Sequence, residues 1–304
     1  MLESDPVHVS VMPEEIIRFF QQIPEKENLF FLDGTAGEGG HSKLILETFP
    51  NSKLIFMDRD ETMLKRAETR LDSFGSRATP HHSNFSEFTS DTLFKLGNVS
   101  SVDGIVLDLG ISTYHFTNSE KGFSYAKEEP LDMRLDFSCK KTASEILKYY
   151  SEKELNRVFW EYGEERWSKK IASVLVERRK KESLQTSKEL ADLIAAIIPR
   201  KFWPPKTHPA TRIFQALRIE VNSELLHIEK GLRQLAALLN KGGVFCVLSF
   251  HSLEDRIVKN VFRELTGKEK EYQLLTKKPL CPSEEEIQQN RPSRSAKLRV
   301  IYSP

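Results

Sequence analysis

Short apolar runs alternate with amphipathic segments along the first third of the chain. Three of these runs end in an acidic residue, at Asp33, Asp58 and Asp108. Runs of this length, each bounded by turn residues and followed by helical periodicity, predict buried strands of a parallel sheet. The carboxyl ends of parallel strands meet at one edge, where ligands bind, so we expect the three carboxylates to lie there together.

The strand–helix alternation stops after Ser112 and resumes later in the chain. Residues 119–208 form an insertion that begins with loop segments and has helical spacing of its apolar positions from 142 to about 198, and the prolines at 199, 204 and 205 end the helical pattern. Beyond it we expect long helices over 211–239, a buried strand over 244–250 and a last, edge strand over 298–302. The pattern predicts an α/β fold in two parts, 1–118 and 209–304, interrupted by a mainly helical insertion.

A glycine-rich turn joins the first predicted strand to a helix. Glycines allow positive φ angles and a close approach of the backbone to a ligand. The carboxylate of Asp33 stands within this turn, where it disfavours a pyrophosphate and favours a cationic ligand, and Asp58 is placed to accept the hydroxyls of a ribose. S-adenosylmethionine fits this arrangement better than NAD, and a purely structural turn ranks third. The predicted cofactor residues of this region are Asp33, Gly37, Gly39, Gly40, His41 and Asp58.

Basic charge is uneven along the chain, although the net charge is only +1. Residues 140–212 hold 17 Lys and Arg against 10 Asp and Glu, and residues 256–304 hold 11 against 6. This distribution indicates a polyanionic partner, although lysine-rich surface helices would give a milder version of it. The three cysteines lack paired spacing, and no apolar stretch approaches membrane-spanning length. We therefore expect a cytoplasmic protein without a metal or a membrane partner.

Five motifs, in order along nearly the whole chain, resemble those of the bacterial small-subunit (16S) ribosomal RNA (cytosine-N4)-methyltransferase family. The resemblance implies a Rossmann-like domain, interrupted by a helical domain, that uses S-adenosylmethionine to methylate the exocyclic amine of a cytosine in the decoding region. The motifs are Asp33-Gly34-Thr35-Ala36-Gly37-Glu38-Gly39-Gly40-His41-Ser42, Pro130-Leu131-Asp132-Met133-Arg134, Tyr162-Gly163-Glu164-Glu165-Arg166, His208-Pro209-Ala210-Thr211-Arg212 with Phe214-Gln215-Ala216, and Ser249-Phe250-His251-Ser252-Leu253-Glu254-Asp255-Arg256.

The same resemblance implies which residues contact the cofactor. The positions that match the family pattern are Gly39, Gly40, His41, Asp58, Phe85 and Asp108. A further family position falls on His115, where relatives commonly have glutamine. Phe85 is placed to stack on the adenine, with packing in the core as its alternative.

Asp108 is the leading candidate to accept the proton that the cytosine amine loses, with Ser112 in support. Amino-methyltransferases of DNA have Pro-Pro-aromatic after the corresponding acidic or amide residue, whereas this chain continues Leu109-Gly110-Ile111. His251, after the later strand, is a second catalytic candidate, and helix capping is its alternative role.

RNA binding is expected from arginines in the region of basic excess. The predicted phosphate contacts are Arg134, Arg166, Arg212 and Arg218. A small-molecule methyltransferase and a non-catalytic RNA-binding module are the alternative functions. The sequence leaves open whether naked ribosomal RNA or the assembled small subunit is the substrate, and whether the chain forms a homodimer.

Overall fold

The computed structural model describes residues 9–137, 139–267 and 271–304; the first eight residues of the predicted first part lie outside the described residues. Within the described residues the chain forms seven β-strands and thirteen α-helices. The strands are β1 Phe30–Asp33, β2 Lys53–Asp58, β3 Ala78–His82, β4 Val102–Asp108, β5 Leu239–Ser249, β6 Gln273–Leu274 and β7 Lys297–Tyr302. The helices are α1 Pro13–Phe20, α2 Gly40–Thr48, α3 Glu61–Leu71, α4 Ser90–Gly97, α5 Thr113–Thr117, α6 Ala143–Tyr149, α7 Glu152–Glu161, α8 Ser168–Arg179, α9 Ser187–Ile197, α10 Thr211–Asn222, α11 Glu224–Ala236, α12 Ser252–Leu265 and α13 Glu284–Gln289.

Two compact units divide the chain. The sheet unit comprises Met1–Ile111 and Leu225–Pro304, and the helical unit comprises Ser112–Glu224. The insertion predicted over 119–208 falls inside the helical unit, although its bounds remain a prediction. None of the described helices has both the length and the apolar character needed to cross a membrane.

All seven described strands form one sheet in the sheet unit, in the order β3-β2-β1-β4-β5-β7-β6. Strands β1 to β5 run parallel, and β7 is antiparallel to β5. Alternate residues of β1 and β2 enter two separate apolar cores: Leu32 and Ile55 face one, and Phe31 and Phe56 face the other. Helices therefore cover both faces of the sheet, and the predicted α/β, Rossmann-like fold class is confirmed.

Three features of the sheet differ from the predictions. The closing strand β7 is not at the edge, because the two-residue strand β6 pairs with its other side. The residues around Gly242, expected as a turn before a strand, are an irregularity inside β5, where the register with β4 shifts. Strand β3 was not predicted, because this partly exposed edge strand contains Pro80 and two histidines and lacks a buried apolar face.

The helical unit has its own core, and several of its helices begin at a capping side chain. Thr142, Ser151 and Thr186 form reciprocal capping boxes with a glutamate three residues later. The Asn222 side chain at the end of α10 donates to the carbonyl of Met133 at 2.7 Å and accepts from the amide of Leu135 at 2.9 Å. These bonds fix the loop before α6. The buried core of the unit includes Ile146, Leu155, Val158, Phe159, Ile171, Leu175, Leu190, Ile194, Ile213 and Leu217.

Candidate functional site

Asp33, Asp58 and Asp108 are the last residues of β1, β2 and β4, which are neighbours in the sheet. The three carboxylates therefore lie at one edge of the sheet unit, as the sequence predicted. The turn from β1 into α2 lies at the same edge, with Gly37 and Gly39 at φ angles of 52° and 79°. Glycine takes these left-handed conformations without steric cost, which explains the residue type at both positions.

Most amides of the turn are bound within the protein. Gly34 donates to the carbonyl of Val106 at 3.0 Å, Ala36 to that of Met57 at 2.8 Å, and Gly39 to that of Ala36 at 2.7 Å. These bonds attach the turn to β4 and β2. Because these three amides are used within the protein, they maintain the shape of the turn and do not donate to a ligand.

Asp58 is oriented by two backbone amides. Its Oδ2 accepts from the amide of Gly37 at 2.9 Å, and its Oδ1 accepts from the amide of Asp60 at 2.8 Å. A carboxylate oxygen can accept more than one hydrogen bond. The arrangement fits the ribose-binding role predicted for Asp58.

Asp33 is buried beneath the turn and stabilises it through hydrogen bonds. Its side chain accepts from the amide of Thr35 at 3.1 Å and from the hydroxyl of Ser42 at 2.6 Å. Burial raises its pKa to about 6, although these two hydrogen bonds and the nearby His41 favour the charged form. The pKa of this carboxyl group is therefore close to neutral pH. A cationic ligand at this edge would favour the charged form of the group.

Asp108 and His41 each carry a buried polar atom that has no hydrogen bond among the described residues, as does Nε2 of His251. Nε2 of His41 lies 3.4 Å from Oδ2 of Asp108. Among the described residues, neither this nitrogen nor Oδ1 of Asp108 has a hydrogen-bond partner, although both atoms are buried. Such orphaned atoms are rare in folded proteins and mark the place of a missing polar partner. A ligand with hydrogen-bonding groups and a positive charge fits this place.

Phe85 lies just after β3, in a short 3-10 helix. It is half-buried and packs against the apolar core of the sheet unit. A Cβ added at Gly231 in α11 would lie 2.4 Å from the Phe85 ring. The bare glycine therefore makes room for the aromatic side chain. Adenine stacking by Phe85 stays a prediction.

The two other catalytic candidates cap helices. The hydroxyl of Ser112 accepts from the amide of Tyr114 at 3.2 Å at the start of α5. His251 accepts from the amide of Glu254 at the start of α12, while the Glu254 carboxylate accepts from the amide of His251 at 3.2 Å. Helix capping is the alternative role predicted for His251. Catalytic roles for both residues stay predictions.

The helical unit holds the remaining predicted residues. His115 is buried, and its Nδ1 lies 3.3 Å from the carbonyl of Ser112. Arg134 pairs with Asp132 at 2.7 Å and Arg218 pairs with Glu224 at 2.8 Å, so both arginines already have an acidic partner. Arg166 and Arg212 are exposed, and Arg212 donates to the carbonyl of Glu164 at 3.1 Å.

Thr35 was not predicted as a site residue, although it joins two of the carboxylate-bearing strands. Its hydroxyl accepts from the amide of Asp108 at 2.6 Å, and its own amide binds Asp33. A hydrogen-bonding residue two positions after an aspartate is a local signal of an Asx turn. The contact with Asp108 has no such signal, because β4 comes much later in the chain.

Comparison with known proteins gives consistent matches over nearly the whole chain. The model of the MraW methylase family matches residues 5–303. "Ribosomal RNA small subunit methyltransferase H" of Leptospira interrogans (serovar copenhageni) is 57% identical over 298 residues, which cover 98% of this chain and 89% of the relative. The protein of the same name from Persephonella marina is 44% identical over 293 residues, which cover 96% of this chain and 98% of the relative.

Proposed function

Because the chain belongs to the MraW methylase family, we propose that it transfers a methyl group from S-adenosylmethionine to N4 of a cytosine in the decoding region of small-subunit ribosomal RNA. The names of the relatives support ribosomal RNA as the substrate. The cytosine, its N4 atom and its place in the decoding region rest on the five sequence motifs.

The observation that carries the proposal is the pair of buried, unpartnered atoms at the sheet edge, Oδ1 of Asp108 and Nε2 of His41. The residues around them suit S-adenosylmethionine, since three carboxylates end neighbouring strands there and Asp58 is oriented by two amides. When bound, this cofactor supplies a methyl group activated by a sulfonium. Asp33, Asp58, Asp108 and the turn at Gly37, Gly39, Gly40 and His41 would hold it, with Phe85 as a further contact.

We assign Asp108 as the group that accepts the proton from the amine of the cytosine. That amine is a weak nucleophile because its lone pair is delocalised into the ring, and it loses a proton when it is methylated. A carboxylate that accepts the proton contributes roughly 10²–10⁴-fold to the rate, and correct positioning of the two reactants contributes more. Ser112 and His251 are less favoured for this step, because both side chains already cap helices.

The test is incubation with labelled S-adenosylmethionine and small ribosomal subunits from a strain that lacks the protein, followed by mapping of the labelled nucleotide. We expect the label on N4 of one cytosine in the decoding region. A label on another atom or another region would refute that assignment. Turnover of small amines without any labelling of subunits or naked ribosomal RNA would favour the small-molecule alternative. Binding of RNA without any turnover would favour the non-catalytic module.

A further inference from the structure

A cluster of aromatic rings, most of them partly exposed, lies on the helical unit, around the segment 199–209 between α9 and α10. We call it the aromatic platform, and its best exposed ring is Phe202, at 54%. The ring centroids of Trp167 and Phe202 are 5.5 Å apart. Those of Trp203 and His208 are 6.1 Å apart, and Tyr125 stacks on His208 at 4.8 Å. The members of the platform are Tyr125, Trp167, Phe202, Trp203 and His208.

Basic side chains lie next to two of these rings, and the segment that carries them contains no acidic residue. The Arg200 guanidinium lies 5.6 Å from the centroid of the Trp203 ring, and Nζ of Lys201 lies 5.1 Å from that of Phe202. Lys206 is exposed two positions before His208. Residues 199–209 contain no Asp or Glu. Within the described part of the chain, none of Arg200, Lys201 and Lys206 forms an ion pair, so their charges are available to an anionic partner.

The backbone of the segment is restricted, which keeps the platform in one conformation. Trp203 has φ −65° and ψ 140°, the extended conformation that the following Pro204 favours. Its indole Nε1 donates to the carbonyl of Ile198 at 2.7 Å. Pro199 begins the segment in a similar extended conformation. A surface that is ordered before binding loses less conformational entropy when a partner binds.

Exposed aromatic rings combined with uncompensated cations match the chemistry of unpaired nucleic acid. Bases stack on aromatic side chains whatever their sequence, and lysines and arginines bind the phosphates between them. We propose that the aromatic platform binds unpaired nucleotides of the RNA substrate, with Phe202 as a stacking surface and Arg200, Lys201 and Lys206 as phosphate contacts. This inference rests on the proposed function for its substrate class, and adds aromatic and basic contacts to the arginines assigned above.

The proposal is tested with the full chain by measuring affinity for an unstructured single-stranded RNA of about 20 nucleotides through fluorescence anisotropy. We expect Phe202→Ala to weaken binding roughly 5- to 150-fold, the range of one lost base stack, and Phe202→Trp to retain it. Lys201→Gln should reduce the slope of log affinity against log salt by about 0.7, the value for one phosphate contact on a single strand.

Tyr149→Ala is the matched control. Tyr149 is 68% exposed on the same unit and has Lys148 5.1 Å from its ring centroid, but it is outside the platform. Its replacement should leave the affinity for RNA unchanged. Melting temperature and affinity for S-adenosylmethionine, measured for each variant, report on folding. If Phe202→Ala is poorly folded, Phe202→Leu removes the ring while keeping apolar volume, and it should weaken binding similarly.

Equal affinities for the single-stranded RNA in the wild type and a folded Phe202→Ala or Phe202→Leu variant would overturn the RNA-binding role of the platform. This holds even if the wild type methylates ribosomal subunits normally. Weaker binding to the assembled subunit with unchanged binding to the oligonucleotide would also overturn it, because the contact would then be with a ribosomal protein. A wild type that neither binds RNA nor methylates subunits would refute the proposed function itself, and the platform with it.

Discussion

Nε2 of His41, near the start of α2, lies 3.4 Å from Oδ2 of Asp108, the last residue of β4. The two side chains are mostly buried. Burial disfavours the imidazolium, but the adjacent Asp108 carboxylate, with a smaller contribution from Asp33, outweighs it and raises the pKa of His41. His41 therefore has a raised pKa beside Asp108 and near Asp33, and the charge of each of these three groups depends on the other two.

Removing the charge of Asp108 should abolish most methyl transfer. We expect Asp108→Asn to lower the single-turnover rate roughly 10²–10⁴-fold, since the variant lacks the proton-accepting carboxylate. The variant should still fold, because the backbone amide of Asp108, not its carboxylate, binds the hydroxyl of Thr35. Its melting temperature should fall, because His41 loses the carboxylate beside it. Full activity in a folded Asp108→Asn or Asp108→Ala variant would refute the assigned role.

Loss of Asp58 should weaken cofactor binding. In Asp58→Ala the amide of Gly37 loses its acceptor, and the hydroxyls of the ribose lose theirs. Hydrogen bonds to a charged group contribute about 1.5–3 kcal/mol each, so we expect at least a tenfold weaker affinity for S-adenosylmethionine by calorimetry.

Asp60→Ala is the control for that measurement. Asp60 caps α3 by accepting from the amide of Thr62 at 2.8 Å. Its loss should lower the free energy of unfolding by about 1 kcal/mol and leave the cofactor affinity as it is. A lower cofactor affinity in Asp60→Ala matching that of Asp58→Ala would show that the effect is structural.

Asp33 should make stability depend on pH in the sense opposite to an ordinary carboxylate. Its pKa is raised from 3.8 to about 6 by burial. The protonated form is therefore favoured by folding, and this contribution is complete below pH 3.8 and is lost as the pH rises through about 6. Relative to Asp33→Asn, the wild type should lose about 2 kcal/mol of unfolding free energy between pH 4 and pH 7, measured by urea titration.

For comparison, the contribution of Asp255 to stability should depend on pH with the opposite sign. Burial alone would raise the pKa of Asp255, but its bonds to Arg299 and Lys297 outweigh burial and lower that pKa. The stability that this carboxylate contributes is present above its unfolded pKa and is lost as the pH falls through the folded value. Relative to Asp255→Asn, the wild type should therefore gain stability from low pH to neutral pH. The same pH trend in both comparisons would refute the role given to Asp33.

The arginines of the helical unit should separate into structural and RNA-binding groups. Arg218→Ala leaves the largely buried Glu224 without its cation and should lower the free energy of unfolding by about 3 kcal/mol. Arg166 is exposed, so Arg166→Ala should leave stability unchanged and reduce the salt slope of RNA binding by about 0.7. Chemical denaturation and anisotropy titrations at several salt concentrations measure the two effects. An RNA affinity that does not change with salt would contradict the expected phosphate contacts.

Local pattern and local chemistry were sufficient to predict much of the sheet unit. Apolar runs that end in Asp33, Asp58 and Asp108 predicted three strands of the sheet, because only a buried strand needs a short continuous apolar run followed by a turn. The capping role of Asp60 also follows from local chemistry, since an N-cap bond spans only two residues. Strand β3 and the pairing of β7 on both sides were not predicted, because the sequence of one strand says little about which strands pair with it at the edge of a sheet.

The sequence by itself determined the α/β fold class, the family resemblance and the acidic strand ends, since each follows from residue type and short-range spacing. Only the tertiary structure decided which polar atoms of Asp108 and His41 remain without a partner, that Thr35 binds the amide of Asp108, and that Phe85 packs over Gly231. These contacts join residues far apart in the chain. Their geometry depends on how strands and helices pack against each other, which the spacing within one segment does not specify.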